Sequence, residues 1–146
     1  MNASPPLSLL QTIRGVVRRH TLALAVLWTL GILVALSFPT PDLPDASASL
    51  DLDKAAHAVL FAGLGVLWMR ALQPSGDTPR HAWTRAAGLL GAGLAFAALT
   101  EVYQAHLLTG RTGDPYDAVA DGLGLLAAVV AYATVRTLQA TRTRHT

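Results

Sequence analysis

The chain has no cysteine among its 146 residues. Disulfides and thiolate metal sites are therefore excluded, and cysteine usage says nothing of the redox compartment. Charge is scarce too. Asp, Glu, Lys and Arg make up 14% of the chain, where an ordinary soluble domain carries about 25%. The net charge is only +2 and no basic run interleaves with aromatic residues. The sequence pI of about 9.5 is thus no sign of nucleic-acid binding. No soluble domain and no low-complexity segment is visible. What fills the chain instead is apolar length: 52% of its residues are hydrophobic, a balance that makes lipid the expected solvent.

Four apolar stretches run over Thr21–Phe38, Lys54–Gln73, Ala82–Leu107 and Asp117–Leu138. Each is close to the roughly 20 residues that a helix needs to span a bilayer. The expected fold is all-α, a polytopic membrane protein built as a four-transmembrane-helix bundle. Before it, Leu7, Leu10, Ile13 and Val17 recur at helical spacing opposite Arg14 and Arg18, the pattern of a short N-terminal interfacial helix. This divides the chain into a segment 1–20, a membrane domain 21–138 and a basic tail 139–146. Pro39, Pro41 and Pro44 predict an extended, exposed connection over Pro39–Leu52. Shorter loops are expected over Pro74–His81 and Leu108–Tyr116.

Lys and Arg positions set orientation. Arg14, Arg18 and Arg19 precede the first span, Arg70, Arg80 and Arg85 bracket the second connection, and Arg136, Arg142 and Arg144 follow the fourth span. The first connection carries Asp42, Asp45, Asp51 and Asp53 against Lys54, and the third carries only Arg111. Every basic cluster falls on one side if the chain crosses four times, which puts both termini in the cytoplasm. A cleavable signal peptide is the competing reading, with Ala35-Leu36-Ser37 as a small-residue cleavage triplet. The apolar run is too long for it, since such segments hold about 7–15 apolar residues.

Polar residues then stand out by their place. A charge at the centre of a membrane helix costs about 2.5–3.5 kcal/mol on insertion scales, so one that persists has a purpose. Asp53-Lys54-Ala55-Ala56-His57 opens the second span. Capping by Asp53 and snorkelling by Lys54 account for two of these residues, and His57 alone is weak evidence of a site. Glu101 follows an almost unbroken apolar run and shares a helix face with Gln104. It must point into the bundle, either as a neutral acid bonding another helix or as a paired charge. Asp114-Pro115 reads as a helix start, with Asp117 favoured by the helix dipole. That leaves Asp121 unexplained. Two acids four residues apart repel unless a cation lies between them, and Lys54, His57 and Arg111 are the available partners.

Small residues four apart, which let membrane helices approach closely, occur at Ala58 and Ala62, at Ala87 and Gly91, at Gly88 and Ala92, and at Gly124 and Ala128. Trp68 and Trp83 fit an interfacial belt. His57, His106 and the carboxylates show no standard metal-ligand spacing, so neither a metal nor another cofactor is expected.

Taken together, these residues resemble the VanZ-like family, membrane proteins named for an accessory protein of teicoplanin resistance. Asp53-Lys54 with His57 and Phe61 looks like its D-K-x-x-H opening, Glu101 and Gln104 like its E-x-x-Q, Gly110-Arg111 like its G-R pair, and Asp117 with Gly124 like its D…G segment. The family usually shows Asn where this chain has Asp121. The resemblance implies a multi-pass protein of the bacterial cytoplasmic membrane and a role in envelope or glycopeptide-antibiotic response. It carries no settled chemistry.

Three functions fit. A binding or resistance protein would use Asp53, Lys54, His57, Glu101, Gln104, Arg111, Asp117 and Asp121 to hold a lipid-linked cell-wall precursor or a lipoglycopeptide at the outer face. An enzyme would use His57 as general acid or base, with Glu101 or Asp117 orienting it and Arg111 facing an anion. A transporter or proton relay would need an oligomer, since four helices enclose no path alone.

Overall fold

The structure is a computed structural model that describes residues 7–38, 46–74, 77–107 and 114–142. It consists of α1 (Leu7–Ser37), α2 (Ala46–Ala71), α3 (Pro79–Leu107) and α4 (Pro115–Arg142). Each contains a stretch long and apolar enough to cross a bilayer: Gly15–Ser37, Leu52–Ala71, Pro79–His106 and Pro115–Arg142. The protein is a multi-pass membrane protein, all-helical throughout its described residues.

α3 starts at Pro79, inside an expected loop, and α4 runs on to Arg142, into the expected tail; two further helix boundaries differ more widely from the sequence reading. The N-terminal amphipathic stretch is no separate helix, because it runs without a break into the first span as α1. No proline or glycine pair interrupts it, and a helix once nucleated propagates at little cost. The connection expected to be extended through Leu52 is helical from Ala46 onward. Its prolines stop at Pro44, and Ala46, Ala48 and Leu50 are good helix formers. Asp53 is therefore an interior residue of α2, two turns from its start, and not its cap.

The other helix starts have local causes. Thr78 precedes Pro79, and its hydroxyl accepts the N–H of His81 at 3.3 Å. Asp114 precedes Pro115, and its carboxylate accepts the N–H of Tyr116 at 2.9 Å. Both are side-chain caps on a proline that fills the first helical position. The Asp114 cap holds that carboxyl below the usual carboxylate range, assisted by the Lys54 ammonium.

α2 and α4 form the central pair, with α3 against α4 and α1 against α2. Lipid offers no hydrophobic drive between helices, so close approach and hydrogen bonds must hold them. At the α2–α4 crossing Gly124 meets the backbone of Ala58, and a methyl group at Gly124 would overlap the Ala58 carbonyl. Farther along, a Cβ at Gly65 would stand 3.0 Å from that of Ala128. Gly93 of α3 admits Leu125, while Gly88 and Gly91 face open space. The small pairs of the third span thus do not mediate packing. Phe61, Leu64, Met69, Ile32, Leu125 and Val129 form the shared core, with Phe61 and Phe96 at a ring separation of 5.7 Å.

All three tryptophans tie helices together. Trp28 donates to the carbonyl of Leu60 at 2.9 Å, Trp68 to the Thr29 hydroxyl at 3.0 Å and Trp83 to the Thr137 hydroxyl at 3.3 Å. At the end that carries the α2–α3 connection, Asp77 and Arg85 form a bidentate ion pair in which the Asp77 side chain is 1% exposed.

Candidate functional site

The opposite end of the bundle gathers the polar residues. Helix direction alone explains part of this. The start of α2, the end of α3 and the start of α4 lie at the same level in an up-and-down bundle, and the end of α1 joins them. Two hydrogen bonds fix that end of α1: the Gln104 amide donates to the Leu36 carbonyl at 3.1 Å, and the Ser37 and Tyr103 hydroxyls pair at 3.0 Å.

His57 is the hub. Its side chain is 1% exposed, and Nδ1 lies 3.0 Å from Asp121 Oδ1, whose side chain is fully buried. Its other nitrogen, Nε2, is 3.9 Å from Asp117 Oδ2. The imidazole is the group that lies between the two stacked acids. An N–H at Nδ1 donates to Asp121 and leaves Nε2 with its lone pair, whereas a protonated ring serves both acids.

Lys54, one turn before His57 on α2, forms the outer layer. Its ammonium donates to Asp114 at 3.0 Å and reaches Asp117 at 3.5 Å. The Lys54 and Asp114 side chains remain 32% and 33% exposed, so this pair borders the solvent while His57 and Asp121 do not. Asp114 was explicable from the sequence as a cap alone.

Glu101 completes the inner layer. Both of its carboxylate oxygens are buried, and neither has a hydrogen-bond partner among the described residues. His57 Nε2 and Asp121 Oδ2 are likewise buried without a hydrogen bond among the described residues.

Of the eight residues singled out in the sequence, the structure brings Asp53, Lys54, His57, Glu101, Asp117 and Asp121 together. Gln104 lies at the same end, with its amide nitrogen bonded to α1. Arg111 is outside the described residues, as is the expected contact between it and the acids. Two trios could hold a cation, since each offers three ligand atoms within 4.8 Å of one another: Asp53, His57 and Asp117, and His57, Glu101 and Asp121.

Comparison with protein-family models, with curated proteins and with solved structures finds no match to this chain.

Proposed function

We propose that this is a VanZ-like protein of the bacterial cytoplasmic membrane, with both termini cytoplasmic and the polar cluster at the outer face. There it binds the head group of a lipid-linked envelope molecule, such as a cell-wall precursor or a lipoglycopeptide. The observation that carries this reading is the layering of the cluster. A partly exposed cation, Lys54, stands beside Asp114 and Asp117, over buried His57 and Asp121 and the buried carboxylate oxygens of Glu101. A phosphate-bearing head group meets the ammonium at the rim, while an amine on the same molecule meets the carboxylates. Its acyl or prenyl chain runs along the apolar outer faces of the helices, where Val59, Leu99 and Leu123 are exposed.

The test is binding of a lipid-linked cell-wall precursor to the protein in nanodiscs, beside a neutral lipid of equal chain length. Selective binding that falls at least tenfold in Lys54→Met is expected. Equal binding of both lipids, or retention in Lys54→Met, overturns the reading.

One observation favours a second reading, an enzyme. A carboxylate on His57 Nδ1 orients the imidazole and leaves Nε2 bare, the arrangement a general base requires. Turnover of a lipid-linked substrate by wild type, lost in His57→Gln at unchanged binding, would separate catalysis from binding alone.

A further inference from the structure

We propose that His57, Glu101 and Asp121 bind one divalent transition-metal cation of the zinc class. This goes beyond the head-group reading and does not require it.

The first ground is unmet bonding capacity. Both Glu101 oxygens, Asp121 Oδ2 and His57 Nε2 are buried and have no hydrogen bond among the described residues. Buried charges in proteins are paired or coordinate metals. These groups lie on three different helices, yet one ligand atom from each falls within 4.8 Å of the others.

The second ground is charge. Among the described residues, Glu101, Asp114, Asp117 and Asp121 meet one ammonium, that of Lys54. Lys54 serves Asp114 and Asp117, which leaves the inner acids to be balanced otherwise. Two carboxylates and one dication sum to zero, the condition for burial near membrane depth.

The third ground is ligand type. One imidazole with two carboxylates suits Zn²⁺ or Mn²⁺, with a position left for water or substrate. Mg²⁺ and Ca²⁺ favour all-oxygen sets. The other trio, Asp53, His57 and Asp117, is the poorer host. The Lys54 ammonium sits on Asp117 and repels a second cation there.

The rival source of positive charge is Arg111, so the experiment includes it. The full chain is purified in detergent, stripped with a chelator and titrated with Zn²⁺, without added lipid. Calorimetry gives the affinity, and mass spectrometry of the elements gives the stoichiometry. One zinc per chain is expected, with excess Mg²⁺ failing to displace it. Glu101→Gln and Asp121→Asn each weaken binding at least tenfold while helical circular dichroism is unchanged. Should Asp121→Asn misfold, Glu101→Gln decides, since its carboxylate has no hydrogen bond to lose among the described residues. Arg111→Ala is titrated in parallel, and Leu99→Ala, on the exposed face of α3, keeps the wild-type affinity. The proposal is overturned if wild type takes up no zinc, if Glu101→Gln binds it equally well, or if zinc binds only once Arg111 is removed. Because no lipid is present, failure here leaves the head-group reading standing, and the nanodisc assay judges that separately.

Discussion

His57 on α2 and Asp121 on α4 stand sixty-four positions apart in the chain, and their side chains meet at 3.0 Å inside the bundle. The contact joins the central helix pair through groups that water does not reach. Removing either partner leaves the other buried without its hydrogen bond, at a cost of about 1–3 kcal/mol. His57→Ala and Asp121→Ala, which remove the ring nitrogens and the carboxylate outright, should each lower stability by at least that amount in metal-free detergent solution. The double variant should lose less than the sum, by more than about 0.5 kcal/mol. Additive losses in a thermal or denaturant unfolding series would show that the two side chains do not interact.

Gly124 offers a sharper test of the α2–α4 approach. Alanine in a helix interior is ordinarily favoured over glycine by about 1 kcal/mol. A Cβ at Gly124 would instead overlap the Ala58 carbonyl, whereas one at Gly88 or Gly91 would meet nothing within 4 Å. Gly124→Ala should therefore destabilise by about 1–3 kcal/mol, the usual cost of overpacking. Gly88→Ala should be neutral or mildly stabilising. Equal effects at the two positions would contradict the packing described for α4.

The Asp77–Arg85 pair at the other end makes stability depend on pH. The hydrogen bonds from the Arg85 guanidinium hold the Asp77 carboxyl below its ordinary value of 3.8. An acid whose pKa is lower in the folded state stabilises that state above the unfolded pKa, and the benefit fades as pH falls through the folded value. The melting-temperature difference between wild type and Asp77→Asn should be constant above about pH 5 and shrink progressively below about pH 4. A difference independent of pH down to full protonation would remove the ion pair from the account.

Orientation is tested by cysteine labelling, free of background because the chain has no thiol of its own. Ala48→Cys should react with an impermeant maleimide from outside intact cells, and Thr146→Cys only after the membrane is opened. Labelling of position 48 from the cytoplasmic side alone would invert the bundle and move the polar cluster off the outer face.

The spans and their number were legible because apolar length and sparse charge depend on composition, not on partners. The polar end was legible for the same reason: Glu101 and Asp121 violate the pattern where they stand. Their partners were not. His57 lies between Asp117 and Asp121 only because Gly124 lets α4 close on Ala58, and no local rule states which small pair is used. Glycines at similar spacing in α3 face open space. The start of α2 was misplaced because three prolines outweighed the helix formers that follow them. The cation site had no motif to find, since its candidate ligands come one from each of three helices.

Glu101→Gln should change the sign of its effect with zinc. Without metal, wild type holds a carboxylate whose two oxygens are buried and lack hydrogen bonds among the described residues, close to the carboxylate of Asp121. The amide keeps the volume and removes the charge, so the variant should match wild type or exceed it by up to about 2 kcal/mol. With zinc at about 100 times its dissociation constant, wild type gains roughly 2.7 kcal/mol from binding to the folded state alone. The variant, short of a ligand, gains far less, and the order of stabilities reverses. Paired thermal unfolding with chelator and with zinc reads this directly. If Glu101→Gln is the less stable protein in both, the carboxylate answers a fixed partner such as Arg111, and the metal site falls with it.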